Sequence, residues 1–482
     1  MNHRMIRYII SMFLRAEAAF MALPIFVCLC FGDYDDILPF IYSIALTFSA
    51  AVLLGMKKPE NDVIFARESF ISVSLGWILL SLFGALPFYI SGSIPSIIDC
   101  VFETVSGFTT TGATILNTVE SLPKSILFWR AFTHWIGGMG VLVFLLMLTQ
   151  ISEGNAMYIM RAEVPGPSVG KLAPRMRSNS LILYGIYTAM TLLEAVVLTV
   201  EGMPVFDAVT NAMSTAGTGG FCVRDAGIAA YGSPLIEWTI AIFTLLFGVN
   251  FNLYYLILFG RIRQVFASEE LKVYLAIIGA SSLAIGVNVM KYYGSFGEAI
   301  RKAFFQVTTT ISTTGFSDVE FMSWPQLSRA IILVILFTGA CAGSTAGGIK
   351  ISRIIIMAKV VYRSIHQLAH PHEVSCIKFE GKIVDRETRS FVCTYMTTFF
   401  VILFLGTFAV MFNGHDFETS FSAILSCFNN VGPALGLVGH TGNYNIFDGG
   451  IKLLMSLLML VGRLEIFPML ILFMPSTWEK HS

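Results

Sequence analysis

One pattern recurs four times along this chain and leaves it few folds to adopt. A long apolar segment is followed by a short one, then by a cluster rich in threonine and glycine, then by a second long apolar segment. The long members lie near 70–92 and 126–150, 181–200 and 235–259, 271–290 and 326–363, and 390–412 and 449–474. A helix crossing the hydrocarbon core of a bilayer needs ~20 apolar residues, so each long member can span. The short members, 96–108, 204–216, 298–312 and 417–430, cannot; apolar stretches of ~10–14 residues are typically re-entrant. Two further spans, near 8–31 and 37–55, come first and are joined by the acidic turn Asp33-Tyr34-Asp35-Asp36. A repeat of this kind outranks any local reading of structure.

Composition agrees. The chain is 55% hydrophobic and 13% charged, with a mean hydropathy of +0.73, whereas soluble domains carry about 25% charged residues. An ordinary soluble enzyme is excluded, and 41 Phe with 22 Met are far too apolar for disorder. Lys+Arg and Asp+Glu balance at 31 each, which makes no case for nucleic acid. None of the eight cysteines forms a CxxC pair, so neither a disulfide frame nor a zinc site is indicated. The basic, then apolar, N-terminus has no small-residue cleavage site and reads as a first span.

Orientation follows from Lys and Arg, which favour cytoplasmic loops. With the N-terminus inside, inner loops collect 21 of the 31. Both termini are then expected in the cytoplasm, with the four short segments entering from outside. The longest inner loops, 151–180 and 351–389, are too short for a soluble domain. The fold expected is an all-α polytopic membrane protein: four pseudo-symmetric helix–pore helix–helix repeats around one ion pore, plus two N-terminal helices. Its units are 1–60, then repeats over 61–155, 175–265, 266–365 and 385–482.

The chemistry sits in the four clusters. They read Thr109-Thr110-Thr111-Gly112-Ala113-Thr114, Thr215-Ala216-Gly217-Thr218-Gly219-Gly220-Phe221, Ser312-Thr313-Thr314-Gly315-Phe316-Ser317 and Asn429-Asn430-Val431-Gly432-Pro433. Aligned by position, their shared glycines are taken as Gly112, Gly219, Gly315 and Gly432. Non-helical backbone at membrane depth survives only where it is buried in protein or lines a water-filled cavity. Glycine allows successive carbonyls to turn the same way, and four such loops could replace the hydration shell of a monovalent cation. Threonine hydroxyls add oxygens. No carboxylate stands at the glycine step, as a divalent site would require. Potassium is favoured, although ring size and field, not residue types, separate it from sodium.

Two anomalies lie inside the spans. Residues 326–363 would make one helix of ~57 Å against a ~30 Å core, and their middle, Gly339 to Gly348, is almost entirely small residues. Close helix packing and a broken helix with an intramembrane loop at 339–350 are both compatible with it. Arg463 lies mid-span, where a charge costs ~3 kcal/mol or more. It either pairs with Glu465 or lines the path as a barrier. Gly343 to Lys350 nearly spells a phosphate loop, but Ile349 occupies the lysine position. His366, His370, His372 and Glu373 are spaced as metal ligands, but Pro371 is expected to interrupt any helix aligning them; they read as a solvated loop. No nucleophile–base pairing suggests catalysis, so a membrane enzyme ranks far behind.

The chain resembles the membrane subunit of the Trk/Ktr/HKT family of potassium transporters over essentially its full length. The resemblance rests on TTTGAT (109–114), STAGTGGF (214–221), STTGFSD (312–318), NNVGPALG (429–436) and GACAGSTAGGIK (339–350). It implies a selectivity filter at Thr110, Thr111, Gly112, Thr218, Gly219, Gly220, Thr314, Gly315, Phe316, Asn430, Val431 and Gly432. It also implies a gate at Gly343, Gly347, Gly348, Lys350 and Arg463. Val431 departs from the threonine–glycine pattern, so three repeats are expected to offer a threonine there. Further implications are a potassium ion as the only cofactor, a homodimer in a bacterial cytoplasmic membrane, and a cytosolic TrkA-like nucleotide-binding partner. The alternative is a symporter coupled to protons or sodium, for which Glu103, Glu194 and Glu465 are the carboxylates at hand.

Overall fold

The computed structural model describes residues 1–57, 65–140, 176–373, 376–439 and 442–479. The second half of the 126–150 span and most of the 151–180 loop lie outside the described residues. The described chain is helical, apart from one two-stranded hairpin of β1 (Lys378–Phe379) and β2 (Lys382–Ile383).

An N-terminal pair precedes the repeats. It comprises α1 (His3–Phe20) with α2 (Ala22–Phe31), and α3 (Ile37–Gly55). The first repeat contains α4 (Ala66–Gly84) and α5 (Leu86–Ile90), then α6 (Ile97–Phe108) and α7 (Lys124–Gly138). The second contains α8 (Met176–Val200), α9 (Val205–Gly217), α10 (Pro234–Phe247) and α11 (Phe251–Leu258). A short α12 (Ile262–Ala267) leads into the third: α13 (Glu269–Val289), α14 (Phe296–Ile311), α15 (Gln326–Thr338) and α16 (Ile351–Ala369). The fourth has α17 (Arg386–Phe412), α18 (Phe417–Asn429), α19 (Gly449–Arg463) and α20 (Phe467–Phe473).

Among the described residues, six helical segments are long and apolar enough to cross a membrane, and α10 with α11 forms a seventh candidate bent by 91°. Their outward faces carry exposed apolar side chains such as Leu46, Phe48, Leu192, Val196, Phe404 and Phe408. In water such faces would be a liability; in hydrocarbon they cost nothing. The short helices are buried instead. Their N-termini are capped by Ser96, Ser295 and Asp416, whose side chains accept from Asp99, Glu298 and Thr419 N–H, satisfying orphan donors at the first turn.

Packing closes the repeats into a ring. Each short helix packs on the second long helix of the preceding repeat: α9 on α7, α14 on α10, α18 on α15, and α6 on α19. The last contact joins the fourth repeat to the first. Four units around one axis follow from that closure.

Three of the second long helices depart from the expected continuous spans. Only the one at 326–363 looked breakable from its residues, and it is broken: α15 stops at Thr338 and α16 starts at Ile351. The span expected at 235–259 is also broken, at Gly248–Asn250, and that at 449–474 at Leu464–Ile466. Glu465 and Ile466 take positive φ of 62° and 65° there, a costly conformation for side-chain-bearing residues that packing must impose. Residues 351–369 of the expected 351–389 loop are helix.

Candidate functional site

The short helices all end the same way. Thr110, Thr218, Thr313 and Asn430 adopt left-handed φ of 56°, 55°, 59° and 56°. The next residue in each repeat folds its N–H back five residues: Thr111 to Ser106, Gly219 to Ser214, Thr314 to Thr309 and Val431 to Ser426, at 2.9–3.0 Å. This is the pairing that closes a helix with a left-handed terminal residue. Glycine usually occupies that position; three of the four here are β-branched, which stores strain.

These equivalences correct the sequence alignment of the second repeat. Two residues after each left-handed position comes a positive-φ glycine: Gly112 at 76°, Gly220 at 77°, Gly315 at 75° and Gly432 at 95°. Gly220, not Gly219, is therefore the counterpart of the other three. Gly219 aligns with Thr111, Thr314 and Val431, so two repeats rather than three present threonine at that step. In the third repeat the matching triplet is Thr313-Thr314-Gly315, and Phe316 falls one residue beyond it. Two consecutive glycines at 219–220 made the frames indistinguishable without backbone angles.

The glycines are required by contact as well as by φ. A β-carbon on Gly112 would overlap the Gly219 carbonyl oxygen, one on Gly220 that of Thr314, one on Gly315 that of Val431, and one on Gly432 that of Thr111. Each glycine thus abuts the preceding-residue carbonyl of the next repeat, and the sequence returns to its start. Above this ring opens a cavity of about 160 Å³ lined from all four repeats, with Gly112, Gly220, Gly315 and Gly432 in its wall.

The fourth repeat breaks the symmetry. The Gly432 carbonyl accepts from Tyr444 Oη at 2.6 Å and from Ser426 Oγ at 2.7 Å, which uses both of its lone pairs. In the first repeat the loop is braced by Glu103, which accepts from Arg130 Nε at 2.8 Å, Thr114 Oγ1 at 2.9 Å and the Ile115 N–H at 3.1 Å. The Arg130 guanidinium also lies 3.8 Å over the Phe221 ring of the second repeat. Sequence reasoning passed over Arg130, yet it lies inside the 126–150 span, and a charge within a span is the signal that singles it out.

Below the ring, the broken third-repeat helix is docked by its neighbours. Thr313 Oγ1 accepts from the Gly347 N–H at 2.7 Å, so a residue at the end of a short helix holds the 339–350 loop. Arg463 donates to Thr345 O at 2.8 Å, Thr110 Oγ1 at 3.2 Å, and the Gly137 and Gly138 carbonyls. Glu465, the neighbour that the sequence offered as a partner, pairs with buried Arg353. The second repeat's break takes part too: Cys341 N–H donates to Gly248 O at 3.1 Å and Phe251 N–H to Gly343 O at 3.0 Å. Glu270 accepts from the Ala342 N–H at 2.8 Å and the Ser352 N–H at 3.1 Å, clasping both ends of the loop. Lys350 is buried at φ 76° and donates to Ala346 O. Unwound carbonyls at membrane depth need donors, and these residues supply them.

Residues 39–280 and 271–480 match the TrkH family, described as cation transport protein. The Trk system potassium uptake protein TrkH of Salmonella typhimurium is 33% identical over the whole of both chains, as is that of Escherichia coli K12. Trk system potassium uptake protein TrkG of Escherichia coli K12 is 34% identical over 86% of each chain. The crystal structure of the potassium transporter TrkH from Vibrio parahaemolyticus superposes with a TM-score of 0.89 at 28% identity, covering 99% of this chain and 100% of that one.

Proposed function

The chain belongs to the TrkH family of cation transport proteins, and from that membership we propose that it carries potassium inward across a bacterial cytoplasmic membrane. The observation that bears most weight is the closed ring of four loops under one outward cavity. Carbonyl oxygens of Thr111, Gly219, Thr314 and Val431, with those of Gly112, Gly220 and Gly315, replace the water lost by a dehydrating ion. Neutral oxygens suit a weakly hydrated monovalent ion. The short helices end at the ring, so their negative dipole ends favour a cation there.

The 339–350 loop and Arg463 form the gate beneath the filter. Arg463 places a positive charge on the path and repels an entering cation while the loop is docked. Both termini face the cytoplasm, and the chain works as a homodimer with one path per subunit. As a component of a Trk system it takes a cytosolic TrkA-like nucleotide-binding subunit on its inner loops. Coupling to protons or sodium finds little support in two of the three carboxylates at hand, since Glu103 is paired with Arg130 and Glu465 with Arg353.

Rubidium uptake into proteoliposomes tests this reading. Uptake competed by potassium, weakly by sodium, and persisting without a proton or sodium gradient is expected. Uptake that stops when those gradients are removed would establish the symporter instead.

A further inference from the structure

α16 begins at the end of the 339–350 loop and runs 19 residues to Ala369. Its last turn carries His366, and His370 caps it four residues later, so the two side chains share one face. Their ring centroids are 4.7 Å apart, with planes 19° from parallel. Pro371 does not separate them, contrary to the sequence expectation. It follows the helix end, and the chain then turns back, with the Glu373 N–H donating to His370 O at 3.1 Å. The turn brings the Glu373 carboxylate to 4.0 Å from His366 Nδ1. One ligand atom from each of the three residues lies within 4.8 Å of the others.

We propose that His366, His370 and Glu373 form a binding site for a divalent transition-metal ion at the end of α16 remote from the loop. Two imidazoles at i and i+4 on a helix are the spacing that places both nitrogens on one ion. Metal–nitrogen bonds of ~2.0–2.1 Å require the ligands to draw closer. His370 and Glu373 are exposed and His366 is half-buried, so rotamer changes suffice. The carboxylate supplies a negative charge and a third ligand, and water completes the shell. An imidazole-rich set selects zinc, nickel, cobalt or copper over magnesium or calcium. His372 is outside the cluster. The bound ion ties the last turn of α16 to the 371–373 turn.

Calorimetric titration of the full chain in detergent, free of any polyhistidine tag, tests the site with zinc chloride. One zinc ion per chain is expected. His366→Ala or His370→Ala should each weaken binding by about tenfold or more, and Glu373→Gln by less. His415→Ala, on a different loop, should leave it unchanged. Affinities should rise from cobalt through nickel to copper, with zinc below copper. Zinc binding by a His366→Ala, His370→Ala double variant that matches the wild type would overturn the proposal, as would equal affinity for magnesium.

Discussion

Arg463 of α19 donates a hydrogen bond to the Thr345 carbonyl at 2.8 Å, joining the end of α19 in the fourth repeat to the broken helix of the third. The same guanidinium reaches Thr110 at the end of a short helix and two carbonyls at the end of α7. One side chain therefore links three of the four repeats just under the ring.

Replacing it should release the loop. A hydrogen bond to a charged donor contributes about 1.5–3 kcal/mol, enough to shift a docked–displaced equilibrium by about tenfold or more. Arg463→Ala is expected to raise rubidium uptake by that order while leaving the potassium-to-sodium ratio unchanged, because the ring is a separate element. Wild-type uptake from a folded variant would place the gate elsewhere.

Thr313 offers a finer probe, because it holds Gly347 through its hydroxyl alone. Thr313→Val keeps the shape but loses the acceptor, leaving a buried N–H unpaired at a cost of about 1–3 kcal/mol. Uptake should rise several-fold in this variant and stay near wild type in Thr313→Ser. Equal behaviour of the two in the same flux assay would show that the bond does not hold the loop.

The corrected register predicts different rescue at adjacent glycines. A β-carbon at Gly219 would meet the His134 imidazole, whereas one at Gly220 meets backbone. Gly219→Ala combined with His134→Ala should therefore regain potassium selection, measured as competition of rubidium uptake by each ion. Gly220→Ala combined with His134→Ala should not. Rescue of both would return the second repeat to its sequence alignment.

Tyr444→Phe removes one of the two donors to the Gly432 carbonyl. A net hydrogen bond contributes about 0.5–1.5 kcal/mol, so the carbonyl should gain freedom to turn without loss of the fold. The expected outcome is a potassium-to-sodium ratio reduced about two- to tenfold, with total uptake retained. An unchanged ratio would mean that holding this carbonyl away from the ring does not matter to selection.

The short helices were legible because their cause is local. Apolar length separates a span from a short helix, and the expected segments 417–430 and 298–312 differ little from Phe417–Asn429 and Phe296–Ile311. The loop at 339–350 was legible as well, since a run of small residues interrupts a segment too long for one crossing. The breaks at Gly248–Asn250 and Leu464–Ile466 were not. Gly248 and Asn250 at the first, and Gly462 and Pro468 beside the second, are single weak helix-breaking residues rather than a run; at the first, the Cys341 N–H of another repeat supplies a donor to the unwound backbone. Thr313 and Tyr444 were equally silent, because their roles are bonds to residues 34 and 12 positions away.

By itself, the sequence determined that this chain crosses a membrane in four repeated units, each with a glycine-bearing loop, since hydropathy and segment length are summed along the chain. Only the tertiary structure decided which of two adjacent glycines closes the ring, that Arg463 meets Thr345, and that Glu465 pairs with Arg353. Those choices depend on which carbonyl lies within ~3 Å of a donor. That distance is set by how four units pack around their axis, not by the order of residues in any one of them.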